Sequence, residues 1–448
     1  MRSIPQAAEP LIQEFASVFN RPTFQRFVIL LFAAILTTGR RTVTNLLRTV
    51  QMCAPGHPSS YHRVLSQRCW SSWRLARALA RFILGHWVPE GPVRLCGDDT
   101  VDEHRGKRVY GKGCHRDAVR STHSFTAYRW GHKWVVLAIP VKFPFATRLW
   151  ALPVLVVLYR SKEWNQRHGR RHKTPSELMR QLLAVFLHWF PLRTFVFAGD
   201  GGFGTHELAR LAHRHRTRLT LVSRFYPDAN LYAPPPVARS RLKGRPRKKG
   251  RKLAAPADVV KRSSRSRLTV AWYGGGTRRV EVVSCTGHWY KNGEGLVPLR
   301  WVFVHDCTGT HRDDYFFTTD LAMTPRMIIE TFTGRWNIET TFQEMRDYLG
   351  LETTRGRTEN TVLRAAPCLF GLYSVVALLY AQLPARRVNG VAILWPGKTE
   401  RTFSDAITAV RRWLWSEWIF ATPQHHKAFS KLSRPIRAVL LYALAPAA

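Results

Sequence analysis

The stretch from Pro92 to Arg224 most constrains the fold, because short β-patterned runs alternate there with one strongly helical run. VRLCGDDT, STHSFTAYRW and KWVVLAIPVKF are each bounded by Gly, Pro or charge and predict three strands in a meander. HKTPSELMRQLLAVFLHWF follows, where Thr174, Pro175 and Glu177 make a capping box with proline at the first helical position. Leu178, Leu182, Val185, Phe186 and Trp189 then line one helical face. The strand TFVFAGD, a helix after Thr205 and the strand RLTLVSR complete the order βββαβαβ. Such an order predicts an α/β core, a mixed sheet with helices packed on it.

The segments around this core read differently. Residues 1–88 carry helical spacing at Phe24, Phe27, Val28 and Leu31, again at Val43, Leu46 and Leu47, and again at Trp73, Leu75, Leu79 and Phe82. We expect a helical DNA-binding domain whose turn G-R-R-T places Thr42 at an N-cap and offers Arg40 and Arg41 to phosphate. Residues 89–226 form the first part of the core, and residues 227–319 a β-rich insertion with its own small sheet. Within it, 233–267 holds thirteen Lys or Arg against the single acid Asp258, the composition of an exposed, flexible segment. Its KGRPRKK run suits insertion of Arg245 and Arg247 into a narrow minor groove. Residues 320–383 complete the core with a long helix opened by Thr324 and Pro325. Residues 384–448 form a C-terminal helical region, with Ser404 as an expected N-cap and a role in dimer contacts or in capping the core.

Charge narrows the function. The chain has 69 Lys and Arg against 29 Asp and Glu, a net charge of +40, and such self-repulsion is offset when cations neutralise nucleic-acid phosphates. The basic residues are spread along the chain instead of flanking an apolar anchor, which disfavours a membrane surface. Seven scattered cysteines, none in C-x2-C spacing, argue against a disulfide framework and a zinc finger. Pro5, Glu9 and Glu14 precede any apolar run, unlike a secretory signal, and we expect a cytoplasmic, nucleoid-associated protein. Phe27 to Leu36 and Leu369 to Leu383 fall short of the ~20 residues of a spanning helix and read as buried core helices.

Three carboxylates stand where they can converge. Asp98 and Asp99 follow VRLCG, Asp200 follows FVFAG, and two neighbouring strands would deliver them to one sheet edge. Successive strand side chains face opposite ways, so one of Asp98 and Asp99 points inward. In FTGRWNIETTFQEMR, helical spacing puts Phe332, Arg335, Glu339 and Arg346 on one face, with the acid between two guanidinium groups. Two aspartates and a glutamate suffice to hold a pair of Mg2+ ions, or Mn2+, at a phosphodiester. Gly201, Gly202 and Gly204 allow a sharp turn after Asp200. The G-D-G-G-F-G run lacks the spacing of a nucleotide-binding loop, so no nucleotide cofactor is expected.

These residues resemble the DDE transposases of bacterial insertion sequences, in the group with the Y-x2-R-x3-E-x6-K signature. Phe332, Arg335, Glu339 and Arg346 occupy its four places, D-D-T at Asp98 to Thr100 resembles its D-x-[ST] motif, and D-G-G-F at Asp200 its second-aspartate motif. The resemblance implies a ribonuclease H-like core interrupted by the insertion, with Asp98, Asp200 and Glu339 as catalytic metal ligands and Asp99 the alternative to Asp98. It also implies a homodimer on DNA that cuts terminal inverted repeats and joins their ends to target DNA. Phe332 replaces tyrosine and Arg346 replaces lysine, which alters the phosphate clamp while leaving the metal ligands. Trp336 is expected in the core or stacked on a displaced base. Two other readings share these residues: a non-catalytic DNA-binding protein such as a decayed transposase or repressor, and a ribonuclease H-like nuclease without strand transfer.

Overall fold

The computed structural model describes residues 4–117, 120–236, 247–385, 396–398 and 400–446. Helices α1 (Glu9–Glu14), α2 (Arg21–Leu36), α3 (Val43–Thr49), α4 (Ser59–Ser66) and α5 (Ser72–Trp87) come first. The Asn20 and Thr42 side chains cap α2 and α3 by accepting from Thr23 and Asn45 amides. Strands β1 (Val93–Glu103), β2 (Gly113–Arg116), β3 (Tyr128–Val141) and β4 (Trp150–Tyr159) follow. Next come α6 (Lys162–Arg167), α7 (Pro175–Trp189), β5 (Phe195–Gly199), α8 (His206–Arg214) and β6 (Leu219–Arg224). The Thr174–Glu177 capping box that opens α7 forms as expected.

The central strands run in the order β4-β3-β1-β5-β6, with β1, β5 and β6 parallel and β3 antiparallel to both β1 and β4. This three-strand meander followed by two helix-linked parallel strands is a ribonuclease H-like core. The order βββαβαβ holds, but two strands differ from the expectation. STHSFTAYRW and KWVVLAIPVKF contribute to one long β3, and the third meander strand is β4, whose Pro153 disguises a run buried along most of its length.

The insertion does not build a separate sheet. Strands β7 (Leu231–Tyr232), β8 (Ser266–Ala271), β9 (Thr277–Lys291), β10 (Gly295–Asp306) and β11 (Asp314–Thr318) extend the core sheet to eleven strands, because β11 pairs antiparallel with β6. Part of the basic segment is ordered as well. Helix α9 (Pro256–Arg262) lies in it, and Lys249 sits 4.2 Å and 4.4 Å above the Tyr232 and Tyr290 rings.

Helices α10 (Pro325–Gly334), α11 (Asn337–Leu349), α12 (Glu359–Gln382) and α13 (Phe403–Leu414) cover the sheet. One apolar core joins α1–α5, the meander strands, α7, α11, α12 and α13, so the N-terminal helices share their core with the sheet. A second, smaller core lies between α10 and the strands from β6 to β11. At 24 residues α12 is longer than the sequence suggested, long and apolar enough to cross a membrane, yet 67% of its most apolar window is buried in the protein. The cap of α13 is Thr402, with Asp405 completing a capping box, in place of Ser404.

Close packing at the sheet centre fixes Gly97. A Cβ there would stand 2.5 Å from Met179 Cε and 2.6 Å from the Phe197 ring. Gly97→Ala is therefore expected to destabilise the protein by about 1–3 kcal/mol, as overpacked cores do, measurable as a lower midpoint in chemical denaturation.

Candidate active site

Strands β1 and β5 lie side by side in parallel, with Cys96 opposite Ala198 and Gly97 opposite Gly199. The next residue on β1 is Asp98 and the next after β5 is Asp200, so both carboxylates emerge at the same edge. Asp200 opens a short 3-10 turn through Gly201–Phe203, and the Ser223 hydroxyl donates to its carbonyl at 2.9 Å. None of Gly201, Gly202 and Gly204 has a positive φ. Gly204 is needed for space instead, since a Cβ would lie 2.5 Å from the Arg224 carbonyl oxygen.

The third carboxylate comes from a broken helix. Helix α10 ends at Gly334, Arg335 and Trp336 form a turn, and Glu339 lies in the first turn of α11. The expectation that Phe332, Arg335, Glu339 and Arg346 share one helical face is thus corrected. The break turns Arg335 inward: Nη1 donates to Asp98 Oδ2 at 2.7 Å, and Nη2 reaches Glu339 Oε1 at 3.1 Å and Asp200 Oδ1 at 3.8 Å. One guanidinium, 5% exposed, therefore draws all three carboxylates together.

Protonation follows from this crowding. Burial, reinforced by Asp200, Asp99 and Glu339 and opposed by Arg335, pushes the Asp98 carboxyl up to about 7. Burial works against the charge of Arg335, but the three acids outweigh it and hold its pKa above the ordinary value. Asp99 points away from Arg335 and pairs with Lys133 at 2.9 Å. Burial raises its pKa as well, against Lys133.

The remaining predicted residues are dispersed. Phe332 is 1% exposed and stacks on Phe316 at 4.3 Å, with the Arg224 and Arg335 guanidinium groups over its ring, so it supports the site from beneath instead of facing DNA. Arg346 donates to the Thr100 hydroxyl and to the Val101 carbonyl and pairs with Glu352 at 3.4 Å. Trp336 is 40% exposed, outside the core, edge-on to Tyr273. Arg247 is exposed, and Arg245 lies outside the described residues. Arg40 is exposed, whereas Arg41 is buried and donates to the carbonyls of Ala34, Gly39 and Tyr348, which removes it from any surface. Burial lowers its pKa to about 10.

Sequence reading missed several neighbours. Arg224, at the end of β6, pairs with Asp314 at 3.1 Å, and Tyr273 comes from the β8–β9 connection. A cleft beside the end of β1 is lined by Arg40, Arg105, Lys107, Arg108, Arg355 and Arg357. Its signal was present in two glycine-centred basic runs, RGKR at 105–108 and RGR at 355–357. Three convergent oxygen-donor carboxylates, gathered here around a cationic group, are a donor set that fits hard divalent cations.

A family model described as DDE superfamily endonuclease matches residues 14–279, a span that includes Asp98 and Asp200. A second, described as "Archaeal putative transposase ISC1217", matches residues 261–363, a span that includes Glu339. No curated protein matches. Among solved structures, the piggyBac transposase synaptic complex with hairpin DNA is similar at 12% identity, covering 95% of this chain and 77% of that one with a TM-score of 0.38.

The Asp98 environment has a thermodynamic consequence. An unfolded aspartate ionises near 3.9, so the folded chain holds this proton more tightly; the resulting stabilisation is complete below that pH and is lost as pH rises through about 7. Without divalent cations this group is expected to lower the melting midpoint between about pH 4 and pH 7, with no further contribution above that, and Asp98→Asn is expected to flatten that slope. An unchanged slope in Asp98→Asn would contradict this protonation state.

Proposed function

The chain belongs to the DDE superfamily endonucleases and is an enzyme of the transposase kind, and from that premise we propose that Asp98, Asp200 and Glu339 are its catalytic metal ligands. The observation that carries this reading is the convergence of all three on Arg335 from β1, β5 and α11. Divalent metal use is general in this family; here the ions are Mg2+, with Mn2+ able to substitute, and two are bound. The metal pair would supply an activated attacking oxygen and charge stabilisation at the leaving oxygen.

The chain's own groups do the rest. Arg335 offsets repulsion among the three acids and presents planar donors where a phosphate is drawn in. Arg346 fixes Thr100, two residues beyond Asp98, and so ties β1 to α11. DNA runs through the basic cleft, with Arg40, Arg105, Lys107, Arg108, Arg355 and Arg357 on its phosphates. Exposed Trp336, beside Tyr273, offers a face for stacking a displaced base. The substrates are terminal inverted repeats and target DNA, handled in the nucleoid by a homodimer. Exposed Ile436, Val439 and Tyr442 on one face of the helix Arg434–Leu444 support the dimer.

Purified protein incubated with Mg2+ and DNA carrying the repeats that flank its gene is expected to nick the repeat ends and join them to target DNA. Asp200→Asn and Glu339→Gln are each expected to lower cleavage at least ~10³-fold, the equivalent of several kcal/mol of lost charge stabilisation, with binding retained. Cleavage unimpaired in Glu339→Gln would remove Glu339 from the site. Nicking without joined products would make the protein a nuclease.

Neighbouring arginines separate binding from folding. Arg357→Ala and Arg40→Ala are each expected to reduce the slope of log affinity against log salt by about 0.9 without loss of stability. Arg41→Ala is expected to cost about 1.5–3 kcal/mol of stability through its lost charged hydrogen bonds, with the salt slope unchanged.

A further inference from the structure

A second constellation lies where the even-numbered face of β1 meets β3, with Asp102 four residues beyond Asp98, His104 just past the end of β1 and His132 on β3. Asp102, His104 and His132 are 0%, 5% and 2% exposed. Asp102 Oδ2 stands 3.2 Å from His104 Nε2, and Asp102 Oδ1 stands 3.7 Å from His132 Nδ1. All three potential ligand atoms lie within 4.8 Å of one another.

The hydrogen-bond pattern identifies the free lone pair. His132 Nε2 is 2.8 Å from the Tyr110 carbonyl oxygen, which only accepts, so Nε2 carries the ring proton. In the neutral ring Nδ1 is then a bare acceptor facing a carboxylate whose Oδ1 already accepts the His132 backbone N–H at 3.0 Å. Two acceptors facing each other in a buried site repel unless a cation or a second proton stands between them. An imidazole whose far N–H is held by a backbone carbonyl is also the arrangement that orients a metal-binding histidine.

We infer that Asp102, His104 and His132 form a second metal site, selective for zinc-class cations, that is separate from the catalytic carboxylates. Tetrahedral ligands at ~2.0–2.1 Å lie roughly 3.4 Å apart, close to the two separations seen here. Two imidazoles and one carboxylate favour Zn2+ or Co2+ over Mg2+, which prefers an all-oxygen shell. Binding requires His104 to carry its ring proton on Nδ1 and leaves a fourth position for water. The cation would pin the end of β1 to β3 and, through Tyr110, to the loop that supplies Arg105, Lys107 and Arg108 to the basic cleft.

The test uses tag-free full-length protein stripped of metal and titrated with Co2+ alone. One equivalent is expected to give the intense visible absorption of a four-coordinate site, displaced by Zn2+ and not by Mg2+. The signal is expected to persist in Asp98→Asn/Asp200→Asn, which keeps this test independent of the catalytic assignment. It is expected to disappear in His104→Gln and His132→Gln, with folding checked by far-ultraviolet circular dichroism. As a second measure that needs no variant, Zn2+ is expected to raise the wild-type melting midpoint where equimolar Mg2+ does not. Absence of a Co2+ band, an undiminished band in both histidine variants, or no Zn2+-specific shift would overturn the site and leave a hydrogen-bonded imidazolium–carboxylate cluster.

Discussion

The Arg335 guanidinium, buried among Asp98, Asp200 and Glu339, is the interaction on which the rest of the structure turns. A charge 5% exposed is tolerated only where opposite charges or hydrogen-bond acceptors satisfy it, and three carboxylates crowd together only where a cation offsets their repulsion. Each condition supplies the other. Meeting both requires β1 and β5 in parallel register, so that Asp98 and Asp200 leave the sheet together. It also requires a break after α10, so that Arg335 turns inward while Glu339 starts a new helix. Phe332 closes the arrangement from below, its ring against Phe316 and under the guanidinium.

Much of this was legible in the sequence where local chemistry decides structure. The capping box at Thr174, the cap at Thr324 and the alternation of strands with α7 and α8 depend on near neighbours, and they formed as expected. The carboxylates were legible because each follows a strongly patterned strand or lies in a basic-flanked helix. The break at Arg335 was not, because periodicity continues across it and Gly334 alone does not distinguish a turn from a tolerated helical glycine. Strand β4 was hidden by Pro153. The union of the insertion with the core sheet depends on pairing between β6 and β11, some ninety residues apart, and spacing carries no record of such pairing.

Arg40 and Arg41 show the same limit at the scale of one residue. Both stand in the same basic turn, yet Arg40 faces the cleft while Arg41 passes into the protein to meet the carbonyl of Tyr348. The difference is made by α11, which lies more than three hundred residues away in the chain. A net charge of +40 is therefore not simply a surface property, because part of it is spent on internal backbone acceptors.

That internal use bears directly on the site. The Tyr348 carbonyl, in the last turn of α11, accepts from Arg41 at 2.7 Å and from Arg411 of α13 at 3.3 Å. Cations at a helix C-terminus complement its dipole and satisfy carbonyls that have no partner within the helix. At the other end of α11, Arg335 holds Glu339, while Arg346, in the last turn two residues before Tyr348, holds the helix to Thr100 of β1. Arginines at both ends thus set the axial position and rotation of the helix that carries the third carboxylate. One of them comes from the N-terminal helices and another from the C-terminal region. The geometry around Arg335 is consequently a property of the whole described chain, and the helices of residues 1–88 serve the site mechanically as well as by lining the cleft.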